Sequence, residues 1–257
     1  MDRTLEAVAP SEPAVVDVAG RSANATYERR LDRHQQRVAA RRTKIIVVGV
    51  CIVIGGLALA LGGRAMGPTW PFLGAAIAFA GSMWVLGQLF GVPDSALNWR
   101  RGAAGEEETG RILARLSPDF SVLHDRRIPL SQANVDHIVI GPTGVFVIET
   151  KRYSGRLTVH GAEVFVAGRR RTKIVEQALW EAEVVRRVLA EAGERQQVTP
   201  LLCVHHAQMP WRAARVAGVS IVSAARLVEM LTRGPTILES TQAVLVREKI
   251  ARAMPRA

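Results

Sequence analysis

The chain has 257 residues, a formal net charge of +11, a pI near 11.0 and 48% hydrophobic residues. That length allows one or two domains, and the basic excess points to an anionic partner, either nucleic acid or the inner face of a membrane. Its two cysteines, Cys51 and Cys203, are far apart and build neither a disulfide framework nor a Cys/His zinc spacing, so the soluble part reads as reduced and intracellular.

Residues 1–26 are rich in Ala, Pro, Ser and acidic side chains and are expected to form a disordered tail. Residues 27–44 have helical spacing, with seven basic against two acidic residues between Glu28 and Lys44. They read as a juxtamembrane helix whose positive charge contacts anionic lipid. Ile45 to Gly63 is a run of about 19 apolar or Gly residues, and Trp70 to Gly91 a second of about 22, broken by Ser82 and Gln88. Both runs are apolar on every face, which soluble helices rarely are. The link from Arg64 to Thr69 allows only a tight hairpin. A signal peptide is not expected, because a long polar segment precedes the first run and no cleavage site closes it. Arg29, Arg30, Arg33, Arg37, Arg41, Arg42 and Lys44 precede the first span and Arg100 and Arg101 follow the second, while the link holds only Arg64. The positive-inside rule then places a two-span protein in the inner membrane with both termini cytoplasmic. Trp70, Trp84 and Trp99 are candidate interface anchors, and Gly87-x-x-x-Gly91 is a candidate helix-packing motif.

After a linker at residues 93–101, residues 102–257 read as one domain. Ala103 to Leu116 has helical periodicity, with Ile112, Leu113 and Leu116 on one side and Glu106, Glu107 and Glu108 favouring the dipole at its first turn. Phe120 to His124 reads as a strand. Two apolar runs follow, Asp136 to Ile140 and Val145 to Lys151, joined by Gly141-Pro142-Thr143-Gly144. They predict a hairpin buried on both faces. Such a hairpin has no use for charge, yet Asp136, Glu149 and Lys151 sit at its open end. If Pro142 and Thr143 form a two-residue loop, Asp136 falls directly opposite Glu149, roughly 5 Å away at Cβ, and Lys151 shares that face. A type I turn with a Gly bulge would instead put His137 opposite Glu149. Beyond lie a hairpin (Arg156 to His160, Glu163 to Ala167), a basic loop (Arg169 to Lys173), a helix (Val175 to Ala190), strands at Val198 to Val204 and Val219 to Val222, and helices at Ala224 to Leu231 and Thr241 to Ala253. The order αβββαβ indicates a mixed α/β fold. There is no Walker loop, no Ser/His/Asp order and no internal repeat, and His205-His206 lacks a third ligand at motif spacing.

Opposed carboxylates destabilise each other unless a cation lies between them, and a divalent metal is the natural one. Asp136 and Glu149 would ligate a hard cation through oxygen, with the Thr150 carbonyl as a further ligand and Glu106 completing the outer coordination. Such a metal lowers the pKa of bound water and neutralises charge on a phosphorane. Lys151 would orient or deprotonate that water, or stabilise the oxyanion. Arg152, Arg156, Arg169, Arg170, Arg171 and Lys173 form a basic cluster suited to phosphate contacts. The bland alternative makes Asp136 a strand cap and Glu149–Lys151 an edge ion pair.

Gly105-Glu106, Val135-Asp136-His137, Gly144 to Lys151 and Ser154-Gly155 together resemble the nuclease-related domain (NERD), a branch of the PD-(D/E)xK restriction-endonuclease-like superfamily. The resemblance runs from about Gly102 to about Leu189. It implies a restriction-endonuclease-like core, with Asp136 and Glu149 holding Mg²⁺ (or Mn²⁺) and Lys151 near the attacking water or scissile phosphate. It also implies that Glu106 is the acidic residue of the first helix and Gln177 the glutamine of the helix after the sheet. Val135 stands where the superfamily's proline would, and Lys173 to Glu176 lacks a Pro-containing lead-in to Gln177. The expectation is a membrane-anchored, Mg²⁺-dependent endonuclease that hydrolyses DNA phosphodiester bonds on the cytoplasmic side. The rival expectation is a catalytically silent, membrane-tethered module or signalling scaffold that binds nucleic acid or protein.

Overall fold

The computed structural model describes residues 18–65 and 67–257, so most of the expected tail lies outside the described residues. The elements in chain order are α1 (Arg21–Gly62), α2 (Trp70–Phe90), α3 (Asp94–Leu113), β1 (Ser121–Arg127), β2 (Asn134–Gly141), β3 (Gly144–His160), β4 (Glu163–Val166), β5 (Arg169–Arg170), α4 (Lys173–Glu191), β6 (Val198–Gln208), β7 (Ala213–Val216), β8 (Val219–Ser223), α5 (Leu227–Thr232) and α6 (Ser240–Ala253). Two units separate. One takes residues 23–101, and the other takes 102–257 together with the described residues up to Ser22. Several boundaries differ from the sequence reading. Residues 21–26 are helical, residues 94–101 belong to α3 rather than to a linker, β3 runs unbroken to His160, and β7 was not foreseen.

The sheet order is β1-β2-β3-β6-β8-β7. The β1–β2, β2–β3 and β7–β8 pairs are antiparallel, whereas β3–β6 and β6–β8 are parallel. The sheet is therefore mixed, as expected. Gly141 pairs with Gly144 and His137 with Ile148, so the turn is the two-residue Pro142-Thr143 loop and not the bulged form. Gly144 has φ 124°, a conformation that other residues rarely adopt. The Ile237 and Leu238 amides donate to the Pro142 carbonyl at 2.8 and 3.1 Å, and the Thr143 hydroxyl donates to the Leu231 carbonyl. These bonds pin the turn from outside.

Register decides what each face buries. Ile138, Ile140, Val145 and Val147 pack with Val185 and Leu189 of α4 and Val246 and Ile250 of α6. Val139, Phe146 and Ile148 pack with Leu113 of α3 and Leu227 and Leu231 of α5. Both faces are covered, which is why the two strands read as continuous apolar runs. Each fully buried aliphatic side chain here contributes about 1.5–3 kcal/mol. His137 shares the α3 face and is fully buried, its Nδ1 lying 2.8 Å from His124 Nδ1.

In the other unit, α1 spans 42 residues, about 63 Å of helix. By length and composition both α1 and α2 can cross a membrane. Phe72, Phe79 and Phe90 each expose more than two-thirds of their surface, as lipid-facing side chains would. The seam between the two helices is glycine. A Cβ on Gly56 would lie 2.7 Å from Ala78 N and 2.8 Å from Gly74 O, and one on Gly81 would lie 2.6 Å from Ile52 Cγ2. The backbones thus touch directly. Gly87 is not in this seam, since a Cβ there would meet open space. The Gly91 N–H donates to Gly87 O at 2.9 Å, so Gly87-x-x-x-Gly91 closes the end of α2 instead of packing it. Trp99 has a partner of its own. It lies under the Arg30 guanidinium at 5.4 Å, fifteen residues before Ile45, or about 22 Å along the helix.

Replacing Gly74 by Leu should weaken the hairpin by roughly 1–3 kcal/mol or more, measured as SDS-titrated unfolding of the full chain in micelles. Gly87→Leu should stay within about 0.5 kcal/mol of the parent.

Candidate active site

The β2–β3 ladder stops at His137 and Ile148, one step short of the charged pair. There a side chain takes over: the Thr150 N–H donates to Asp136 Oδ2 at 2.8 Å. Glu149 is 1% exposed, and Lys151 Nζ pairs with its Oε1. Glu149 Oε2 is buried without a donor. On the same face α4 brings Glu181, also 1% exposed, whose Oε1 accepts from Gln177 Nε2 at 2.9 Å and whose Oε2 is likewise without a donor. Glu106 enters from α3, where the Gly105 backbone lies against Thr150 and Arg152.

Electrostatics tie these groups together. Burial pushes the Asp136 carboxyl well up, and the Glu149 and Glu106 charges push it further. Burial and Glu149 raise Glu181 in the same way. It lies close enough to Glu149 to hydrogen-bond it once one of the two carries a proton. Burial, then Asp125 and Glu149, move Glu106 from 4.5 to about 7. Burial would lower Lys151, but the Glu149 and Asp136 carboxylates outweigh it and hold the amine above its ordinary value. Lys151 is therefore charged at any physiological pH.

Asp136, Glu149, Lys151 and Glu106 thus come together as the sequence anticipates, and Gln177 joins through Glu181. Glu181 itself was missed. Its signal was a carboxylate at i+4 from Gln177 inside the buried stripe Ala178, Ala182 and Val185. The Thr150 side chain faces away from the carboxylates and donates to Thr109 Oγ1 at 3.1 Å; Thr109 Oγ1 lies 2.7 Å from His205 Nε2, and His205 Nδ1 lies 3.2 Å from Glu108. Glu108 is thus more than a dipole partner for its helix: burial pushes its carboxyl up, and His205 and His206 pull it below its ordinary value. Of the basic residues, Arg152 and Arg156 are exposed on β3, and Arg169, Arg170, Arg171 and Lys173 are exposed on and after β5. Arg170 is tied to Glu163 at 2.6 Å. Arg171 acts on Tyr153: burial raises the Tyr153 phenol, while Lys151 and Arg171 both pull it down.

Residues 101–205 match the family model of the nuclease-related domain, NERD. Over this segment the chain is similar to the nuclease-related domain. An uncharacterized protein of Bacillus anthracis is 42% identical over 67 residues, 24% of this chain and 31% of that protein. The match therefore spans about a third of the relative's length. No solved structure matches the chain.

No three His, Cys, Asp or Glu side chains among the described residues already close around a metal-sized point, and Lys151 pairs with one oxygen of Glu149. The donor set of the nuclease-related domain nevertheless fits a hard divalent cation. It consists of carboxylate oxygens, two of them buried acceptors without donors, in a cluster whose like charges raise one another's pKa.

Because Glu106 titrates near 7 instead of 4.5, the folded, cation-free state keeps a proton that the unfolded chain has released. The stability this contributes is complete below pH 4.5 and is lost as pH rises through 7. Glu106→Gln should therefore raise stability at pH 8 by up to about 3 kcal/mol and change little at pH 4.5. Thermal unfolding of the full chain in detergent with EDTA, followed by near-UV circular dichroism, measures this.

Proposed function

We propose that the protein is a membrane-anchored, Mg²⁺-dependent nuclease that hydrolyses DNA phosphodiester bonds on the cytoplasmic side of the inner membrane. The observation that carries this is the unpartnered, buried Glu149 Oε2 beside Asp136 and Lys151, at the open end of the sheet in a nuclease-related domain. Asp136 and Glu149, with Glu106 and the Thr150 carbonyl, would hold Mg²⁺ or Mn²⁺. The cation, when bound, supplies Lewis-acid charge at the phosphate and acidifies water.

The remaining roles belong to the chain's own groups. Lys151 is held protonated by its neighbours, so it acts as a hydrogen-bond donor and positive charge toward a phosphate oxygen, not as a base. Asp136 keeps β3 in place through the Thr150 amide. Gln177 orients Glu181. Arg152, Arg156, Arg169, Arg171 and Lys173 are exposed and would contact backbone phosphates, which positions the substrate without reading its sequence. Arg170, paired with Glu163, contributes less. The anchoring reading rests on the two apolar helices, and the cytoplasmic side on the basic residues flanking them.

The full chain in micelles, given plasmid or single-stranded DNA with Mg²⁺ or Mn²⁺, should cleave. Glu149→Gln and Lys151→Ala should each lose roughly 100-fold or more in rate. Salt-sensitive binding retained by both variants, without any cleavage by the parent, would leave the silent tether instead.

A further inference from the structure

The described residues that precede α1 pack with the nuclease-related unit and not with the helical one. Asp125 of β1 explains how. The ladder pairs His124 with His137 and Arg126 with Val135, and skips the position between them. That position, which the register sets opposite Asp136, is Asp125, with φ 52°. A left-handed conformation is strained for a residue with a side chain, although Asp tolerates it better than most. The turned-out carboxylate is not idle. Its Oδ2 accepts from the Ser22 N–H at 2.6 Å, and its Oδ1 accepts from the Ser22 hydroxyl at 2.7 Å and from Asn134 Nδ2 at 2.6 Å. Ser22 is in the first turn of α1, so a buried carboxylate from the sheet satisfies the free amide end of that helix.

The residues just before Ser22 close over α3 beside Glu106. Gly20 has φ 76°, and a Cβ there would lie 3.0 Å from the Ala103 carbonyl, 3.3 Å from Glu107 Cγ and 3.6 Å from Glu106 Cβ. A Cβ on Gly110 would lie 2.7 Å from Ala19 Cβ. Ala19 and Ala103 are both buried. Glycine on each side of this contact lets the strap lie flat against the helix turn that carries Glu106. The Asp125 charge is felt at Glu106, so the strap's anchor and that carboxylate are electrostatic neighbours.

We propose that residues 19–22 are a positioning strap for Glu106, held by Asp125 and supplied from the far side of the membrane hairpin in sequence. The nuclease site is then incomplete in any piece of the chain that starts after the second span, although the family match begins there. This rests on reading the site as cation-dependent. Ser22, Gly20 and Asp125 touch no substrate in this scheme. They act through the place and orientation of Glu106.

The test uses the full chain in micelles, with Mn²⁺ binding followed by electron paramagnetic resonance and cleavage followed over a Mn²⁺ titration. Ser22→Pro suits the first turn of a helix and removes both donors to Asp125. Gly110→Leu displaces Ala19 without touching Asp125. Each should weaken Mn²⁺ binding and raise the half-saturating Mn²⁺ concentration about tenfold, leaving KM for DNA in place, and Ser22→Thr should restore both. A chain merely destabilised would lose folded protein without moving the half-saturation point. Ser22→Pro and Gly110→Leu with parental Mn²⁺ affinity and half-saturation, on a parent that binds Mn²⁺ and cleaves, would overturn the strap alone. A parent that neither binds Mn²⁺ nor cleaves would overturn the nuclease reading first, and the strap with it.

Discussion

Four carboxylates, Asp136, Glu149, Glu181 and Glu106, converge at one end of a sheet that is otherwise apolar on both faces, and a single lysine stands among them. Charges desolvated in this way repel one another with little screening. The pKa values of Asp136, Glu181 and Glu106 rise as the direct result. Among the described residues the relief is partial: Lys151 serves one oxygen of Glu149 and Gln177 one oxygen of Glu181, and Glu149 and Glu181 each keep a buried acceptor without a donor. A core that needed only stability would have filled these positions with the Val and Ile that surround them. The buried carboxylate oxygens left without donors are the physical reason the proposed function places a cation there.

Holding such a cluster requires a backbone that does not yield to the repulsion. The hairpin is pinned at its turn by the amides of Ile237 and Leu238 and by Thr143. At its open end, where the ladder gives out, Asp136 substitutes a side-chain acceptor for the missing strand carbonyl. Strand alternation then lets β3 carry two networks at once. Glu149 and Lys151 face the carboxylate cluster, while Thr150 between them faces Thr109, His205 and Glu108. The second network has no evident substrate face. It fixes the height of β3 against α3, and α3 is the element that delivers Glu106.

The hairpin was legible because its determinants are local. A Gly-Pro-Thr-Gly turn and an apolar period of two set register, and register sets that Asp136 and Glu149 share a face. The lysine and the first-helix glutamate were legible for the same reason, as charges out of place in apolar or periodic segments. Glu181 escaped because a single Glu on an amphipathic helix ordinarily faces water, and only tertiary packing turns this one inward. The glycine seam of the hairpin escaped differently. Gly56 and Gly74 sit in runs so rich in small residues that spacing alone cannot say which glycines meet, and it favoured Gly87, which meets nothing. Asp125 was invisible because its role depends on a backbone angle and on a partner 103 residues earlier.

That distance changes what kind of protein this is. A membrane hairpin attached to the front of a nuclease-related domain would be a tether, and cutting it off would cost only location. Here the described residues up to Ser22 and residues from Gly102 onward form one unit, and residues 23–101 lie between them in sequence. In sequence, the two apolar helices are therefore an insertion into that unit. Loop closure over such a length adds only weakly with each further residue, so the long excursion is thermodynamically tolerable. Any event that pulls on the start of α1 acts first on the Ser22–Asp125 hydrogen bonds, one step from Glu106.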